Sequence, residues 1–240
     1  MFHVRIAGVV VGIDNHYEYI HELCENYIVT GETPAFIVRA EEREIDQEAA
    51  VSPALRLSEG RGYYESNCLY RKICLGMVDY DGFLMHSAVI EVGGHALAFA
   101  AKSGTGKSTH ICLWRKHFGR EIHIINGDKP IYRFIDGQLY ACGTPWRGKE
   151  FWGRNAMAPL KSLCFLEQGA ENHLERLSPA EIMPRLFHQL LLPREPERMD
   201  RFLLLVDRML ETTPCYLLRC DMTLAAAETA RRGLMGGDII

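Results

Sequence analysis

The sequence AKSGTGKST, at residues 101–109, decides the fold of this chain. It fits the phosphate-binding loop pattern, with Ala101 in the place of the usual first glycine. Residues 94–101 are mostly small or apolar and predict a buried strand, and residues 108–118 predict a helix. In this strand–loop–helix context the backbone N–H groups of the loop and the helix N-terminus face an anion. The alternative is an ordinary glycine-rich turn with an exposed lysine.

The motif supplies the first candidate site residues. Lys107 is expected to reach the β- and γ-phosphates of a nucleotide, and Ser108 to help hold Mg²⁺. Two glycines of the motif let successive backbone N–H groups turn inward around phosphate oxygens. The predicted nucleotide-binding residues are Ser103, Gly104, Thr105, Gly106, Lys107, Ser108 and Thr109.

Length and composition limit the class of protein and the kinds of partner that are expected. With 240 residues, 48% of them hydrophobic and 24% charged, the chain can bury a sizeable core and is typical of soluble globular proteins. A net charge of −4 gives no basic surface for nucleic acid. The eight cysteines form no CxxC or zinc-finger spacing, so reduced thiols in a cytoplasmic protein are expected. No apolar run approaches the ~18 residues that span a bilayer, so no membrane partner is expected.

Apolar periodicity and turn residues predict the other elements. Gly93-Gly94 and Asp136-Gly137 predict hairpin turns, Ser178 with Glu181 predicts a capping box, and residues 52–62 predict a loose loop. Because hairpins adjoin the phosphate-binding motif, a mixed sheet is favoured over a parallel one. The predicted strands cover 2–13, 34–38, 86–92, 121–126, 131–135, 138–142, 160–166 and 214–220, and the predicted helices 17–28, 41–50, 63–77, 178–192, 197–210 and 223–234.

Two further residues are candidates for binding the metal ion or for lying near the phosphates of the nucleotide. Asp128 follows the apolar strand 121–126, where an acidic residue would meet the metal of a bound nucleotide. Its alternative is a solvent-exposed turn aspartate. His86 opens the hairpin strand whose partner leads into the motif, so it is either a residue near the phosphates or a structural histidine.

The segment 143–150 is rich in functional side chains. It places Arg147, Lys149 and Glu150 in a short stretch punctuated by glycines. Such a loop can clamp a phosphate or an acidic substrate, and Lys129 would add a third cation for a phosphate or carboxylate on the acceptor. The alternatives are a solvated surface loop and a Lys129 that points to solvent.

These motifs together resemble a known group of proteins. The histidine-led hairpin at 86–89, the motif at 103–109 and Asn126-Gly127-Asp128 look like the HPr kinase/phosphorylase and phosphoenolpyruvate carboxykinase superfamily, over residues 84–150. More narrowly, they resemble bacterial HPr-kinase-like proteins found beside peptide-modifying enzymes. The resemblance implies an α/β fold with a mixed β-sheet, whose phosphate-binding loop (P-loop) lies between a β-hairpin and a helix. It also implies ATP or GTP with Mg²⁺ as cofactors.

Site roles follow from the resemblance residue by residue. Lys107 and Ser108 would take the nucleotide and metal roles, His86 matches the histidine of the kinase hairpin, and Asp128 matches the first of two consecutive acidic residues. The second acidic position is Lys129 here, which departs from the family. One carboxylate would then serve both as metal ligand and as base toward the attacking hydroxyl.

The sequence therefore predicts one domain over 1–240, with an N-terminal α/β portion (1–82) of unassigned role and a nucleotide-binding kinase-like core (83–240). The predicted function is ATP-dependent transfer of a γ-phosphate to a hydroxyl of a small molecule or peptide. Catalysis would involve Asp128, His86 and Lys107, and Mg²⁺ would bind Ser108 and Asp128. The alternative is a nucleotide-binding regulatory sensor without turnover. The oligomeric state stays open, a homo-oligomer included.

Overall fold

The computed structural model describes residues 1–51, 60–102 and 104–236. The chain is a mixed α/β protein with a four-stranded sheet near its N-terminus and a larger sheet after it. Its strands are β1 (Phe2–Ile6), β2 (Val9–Asp14), β3 (Ile28–Val29), β4 (Phe36–Arg39), β5 (Gly82–Leu84), β6 (Ala88–Val92), β7 (His95–Ala100), β8 (Ile122–Asn126), β9 (Ile131–Ile135), β10 (Gln138–Cys142), β11 (Met157–Gln168), β12 (His173–Arg176) and β13 (Cys215–Cys220). Its helices are α1 (Glu18–Cys24), α2 (Glu42–Val51), α3 (Gly60–Met77), α4 (Lys107–Phe118), α5 (Pro179–Leu186), α6 (Pro196–Thr212) and α7 (Leu224–Leu234).

The larger sheet is mixed, as the hairpins predicted. Its strand order is β5-β9-β10-β11-β7-β6-β8, and β13 pairs with the second half of β11. The neighbours of β11 on this path differ in direction, because β7 runs parallel to it and β10 antiparallel. The strand β7 is therefore central, between the hairpin partner β6 and the long β11. The segment that follows β7 therefore begins at an interior strand of the sheet, not at an edge strand.

The two faces of β7 differ in residue size. Ala96, Ala98 and Ala100 face a core formed with α5 and α6, whereas Leu97 and Phe99 face a core formed with α4 and α7. This alternation is the period of two expected of a strand buried on both sides. Helix layers thus cover both faces of β7.

The N-terminal sheet, with strand order β3-β1-β2-β4, shares a buried core with the rest of the chain. This core joins Val4 and Ile13 of the sheet to Leu69 of α3, and also to Ile131 and Trp146 of the later chain. Residues on both sides of position 82 therefore pack together. The single-domain organisation stays a prediction.

Some predicted element boundaries are wrong. Residues 2–13 form two strands, because Ala7 and Gly8 adopt φ values of 50° and 78° and turn the chain into a hairpin. The helix predicted over 178–192 ends at Leu186, although its capping box is present. The strands β3, β5 and β12 were not predicted, and the helix predicted over 17–28 ends at Cys24. The predicted loop 52–62 lies mostly outside the described residues, and α3 begins at Gly60.

No helix of the described ranges is both long and apolar enough to cross a membrane.

A buried histidine predicts how stability responds to acid. His110 of α4 is 3% exposed, accepts a hydrogen bond at Nε2 from Trp114 Nε1 at 3.0 Å, and lies against the Phe99 ring. Burial lowers the pKa of His110 from 6.5 to about 4. The unfolded chain therefore binds a proton that the folded chain excludes between these two values.

The free energy of unfolding should fall as the pH drops from about 6.5 towards 4, by about 3 kcal/mol from this group. Urea denaturation across that range measures it. His110→Gln keeps an acceptor for Trp114 but does not titrate, so its stability should depend less steeply on pH. An equal slope in both proteins would contradict this origin.

Candidate functional site

Lys107 and Asp128 are brought into contact by α4 and β8. Lys107 is the first residue of α4, and Asp128 lies two residues beyond the end of β8. The Lys107 Nζ atom donates a hydrogen bond to Asp128 Oδ1 at 3.2 Å. Their side chains are 17% and 32% exposed, so a ligand can still reach both. The structure therefore brings these two predicted residues together.

The segment 101–106, here called the glycine loop, joins β7 to α4. Ser103 lies outside the described residues. Gly104 and Gly106 have φ values of +83° and +110°, which L side chains rarely adopt. Gly106 is the N-cap of α4, no side chain of the described residues caps the helix, and its first turn carries no acidic residue. The first backbone N–H groups of α4 and its positive dipole end are thus available to an anion.

The other predicted nucleotide-binding residues lie around this helix start. Thr105 N–H donates to the Lys102 carbonyl, and the Thr105 carbonyl accepts a hydrogen bond from Gln168 Nε2 at the end of β11. Ser108 is half-buried and Thr109 is exposed. The loop is consequently hydrogen-bonded to the sheet at the C-terminal end of β11. The C-terminal ends of strands are where α/β proteins bind ligands.

The buried side chain of Asn126 organises the turn that carries Asp128. Its Oδ1 accepts hydrogen bonds from the N–H groups of Asp128 and Lys129 at 2.9 and 2.7 Å. Its Nδ2 donates to Thr144 Oγ1 at 3.1 Å and to the Trp146 carbonyl at 3.2 Å. One fully buried amide thereby holds the 126–129 turn against the 143–147 segment.

His86 is held beside Asp128 by backbone bonds. His86 N–H donates to the Gln189 carbonyl at 2.7 Å, and Ser87 N–H donates to the Asp128 carbonyl at 3.1 Å. Burial lowers the pKa of His86; the Asp128 charge opposes this, while Lys129 and Lys107 lower it further. The imidazole is therefore neutral at pH 7 and can accept a proton.

The segment 143–150 crosses directly over Asp128. Gly148 has a φ of +76°, and a Cβ added there would lie 2.7 Å from Asp128 Cβ. Beside this crossing is a cavity of about 350 Å³, lined by Asp128, Lys129, Arg147 and Lys149 together with residues of α1 and α3. We call it the lysine–arginine cavity. Glu150, also predicted to bind substrate, is exposed and is not among the described residues that line it.

Helix α3 supports this cavity from the N-terminal portion. Tyr70 OH donates to the Lys129 carbonyl at 2.6 Å, and Trp146 Nε1 donates to the Ser66 carbonyl at 3.1 Å. The Tyr70 and Trp146 rings stack with centroids 4.4 Å apart. Sequence analysis had found Asn126 only as part of a motif and had given α3 no role in the site.

A second cavity, of about 400 Å³, adjoins the glycine loop. Ala101, Lys102 and Thr105 of the loop line it, with the end of β11, Arg185 of α5 and His188 just after that helix. It lies at the C-terminal ends of the parallel strands β7 and β11. A ligand there would contact the glycine loop directly.

The described residues contain no group of three or more His, Cys, Asp or Glu side chains that could hold a metal ion. A Mg²⁺ ion that accompanies a nucleotide needs only one or two protein oxygens, because phosphates and water complete its coordination. The Asp128 carboxylate and the Ser108 hydroxyl are oxygen ligands of the type that such a Mg²⁺ ion needs.

Comparison with known proteins gives a distant likeness to solved structures. No protein-family model and no curated protein matches the chain. Among solved structures, the chain is similar to the HPr(Ser) kinase/phosphatase from Coxiella burnetii, with a TM-score of 0.37 and 11% identity over 64% of this chain and 99% of that one. The likeness is too distant to assign a function, which is inferred below from the chain's own residues.

Proposed function

We propose that this protein is an ATP-dependent phosphotransferase that moves a γ-phosphate to a hydroxyl of a small molecule or peptide. The observation that carries the proposal is the 3.2 Å contact between Lys107 Nζ and Asp128 Oδ1. It joins the N-terminus of α4, which suits a phosphate, to a carboxylate that suits a metal and an acceptor hydroxyl. GTP would offer the same phosphates.

The glycine loop and Lys107 would bind the phosphates. Backbone N–H groups at the start of α4 and the Lys107 ammonium would neutralise charge on the transferred group. Ser108 and Asp128 would hold Mg²⁺, which supplies further charge neutralisation when the nucleotide is bound. Gln168 would keep the loop in place through its bond to the Thr105 carbonyl.

Transfer would need a base beside the acceptor hydroxyl. The hydroxyl oxygen would bond to the γ-phosphorus while the bond from that phosphorus to the β–γ bridging oxygen breaks, which releases ADP. The hydroxyl proton would pass to Asp128 or to His86, whose lowered pKa keeps it unprotonated at pH 7. His86 lies beside the turn that carries Asp128, since the N–H of the adjacent Ser87 donates to the Asp128 carbonyl.

One observation favours a second candidate function. Asp128 is the only carboxylate among the described residues that line the lysine–arginine cavity. The adjacent Lys129 stands where the kinases that the motifs resemble have a second acid. A regulatory protein that binds Mg·ATP without turnover would tolerate this change. Such a protein would bind nucleotide and form no phosphorylated product.

The test is a screen for transfer from γ-labelled ATP to metabolites and peptides, with nucleotide affinity measured by calorimetry. Lys107→Ala removes a charge-assisted contact to phosphate, so we expect ATP affinity to fall by about ten- to a hundredfold. Lys116→Ala, on the exposed face of the same helix, is the matched control and should bind like the parent. Equal affinity in the parent and Lys107→Ala would reject the nucleotide site.

A further inference from the structure

The size of the lysine–arginine cavity suits a small molecule. Its volume of about 350 Å³ is at the lower end of the range for small-molecule sites, roughly 300–1,000 Å³. It shares Asp128 with the contact to Lys107, so a molecule inside it would sit beside the transferred phosphate. This is the position that an acceptor hydroxyl requires.

The charge of the cavity favours an anion. Its described lining includes Lys129, Arg147 and Lys149 against the single acid Asp128, which gives three positive charges and one negative, or +2. Within the described residues, none of these three cations forms an ion pair, and the buried Arg147 Nε atom has no hydrogen-bond partner. A guanidinium and two ammonium groups are the ordinary ligands of carboxylates and phosphates.

The opposite lining comes from the N-terminal portion. Tyr19 of α1 and Tyr63 of α3 contribute aromatic surface, and Asn67 of α3 contributes an amide. Asn67 is half-buried, and its side chain makes no hydrogen bond within the described residues. Aromatic surface with a few polar groups is typical of sites that bind the apolar body of a ligand and orient it.

We infer that the lysine–arginine cavity binds a small hydroxyl compound that carries a carboxylate or phosphate, and that α1 and α3 form its recognition wall. The identification of this ligand as the phosphate acceptor rests on the proposed function. The cations hold the anionic group, and the hydroxyl faces Asp128. The N-terminal portion thereby gains a role in selecting substrate.

The test compares anionic probes with neutral analogues by ligand-observed NMR titration. N-acetyl-tyrosine is paired with N-acetyl-tyrosinamide, and glycerol 3-phosphate with glycerol, so the two pairs distinguish a carboxylate from a phosphate. In at least one pair the anion should bind about tenfold more tightly than its neutral analogue. Equal binding or no binding of both anions would overturn the inference.

Two variants locate the binding in this cavity. Lys149→Glu reverses an exposed charge of the lining, and Asn67→Asp places a carboxylate of the same size in the α3 wall. Each should weaken binding of the anion by about tenfold. Lys116→Glu and Gln47→Glu make comparable charge changes at exposed positions elsewhere and should have no effect. Equal losses in the variants and the controls would overturn the inference.

Calorimetry with Mg·ATP on the same proteins separates the two proposals. Anion binding that depends on Lys149 and Asn67, in a protein that does not bind Mg·ATP, would support the cavity as an anion site. It would reject the proposed phosphotransferase activity. Mg·ATP binding that depends on Lys107, without preference for anions, would leave the phosphotransferase standing and reject the cavity as an anion site. Lys149→Glu should leave Mg·ATP affinity unchanged.

Discussion

Asp128→Asn is expected to reduce phosphoryl transfer by about 10²–10⁴-fold, the usual contribution of a positioned acid–base group. The asparagine keeps the size of the side chain but removes the charge that would hold Mg²⁺ and attract the hydroxyl proton. Asp128 contacts Lys107 through its side chain at 3.2 Å, and its backbone bonds to Ser87 and Asn126 are unaffected. The loss should therefore occur without unfolding, and the dependence of nucleotide binding on Mg²⁺ should weaken.

Asp136→Asn is the matched control for this variant. Asp136 is an exposed turn residue with a φ of 48° in the β9–β10 hairpin, a conformation that asparagine tolerates well. The control loses the same charge away from the site and should keep the parent rate. If Asp128→Asn retains the parent's Mg²⁺ titration and transfer rate, Asp128 is a turn residue only.

Asn126→Ala is expected to lower the free energy of unfolding by about 3 kcal/mol or more. The change removes the acceptor for two partly buried backbone N–H groups and the donor to the buried oxygen atoms of Thr144 and Trp146. Each buried polar group left without a partner costs about 1–3 kcal/mol. The total is a large part of the ~5–15 kcal/mol that stabilises a typical domain.

Urea denaturation measures this loss, with Asn26→Ala as control. The exposed Asn26 side chain makes no hydrogen bond within the described residues, so its removal should change the free energy of unfolding by less than about 0.5 kcal/mol. A similar small change for Asn126→Ala would show that the turn does not depend on the amide. Weaker Mg·ATP binding should accompany the destabilisation, because the turn positions Asp128.

Local signals made much of the fold predictable. Gly93-Gly94 and Asp136-Gly137 form hairpin turns at positive φ, and Ser178 with Glu181 forms the capping box. Each of these signals acts between residues that are close in sequence. The turn at Ala7-Gly8 was missed because alanine rarely adopts a φ of 50°, so residues 2–13, rich in valine and isoleucine, resemble one continuous strand.

The candidate site was only partly predictable because its remaining contacts are distant in sequence. The pairing of Lys107 with Asp128 followed from a motif and a strand end, which the sequence displays. The bond from Tyr70 to the Lys129 carbonyl joins residues 59 apart, and the bond from Trp146 to Ser66 joins residues 80 apart. No periodicity or turn signal encodes such contacts, so the role of α3 could be seen only in the folded chain.

The pairing of β11 has a consequence for the order in which the protein folds during synthesis. The hairpin of β6 and β7 can form as soon as residue 100 has emerged, because its strands are adjacent in sequence. The other neighbour of β7 is β11, which begins only at Met157. The strand β11 in turn pairs with β13, which begins at Cys215. The glycine loop is therefore made early, but its supporting sheet is complete only when nearly the whole chain has left the ribosome. A nascent chain should gain nucleotide affinity late, after β13 has been synthesised.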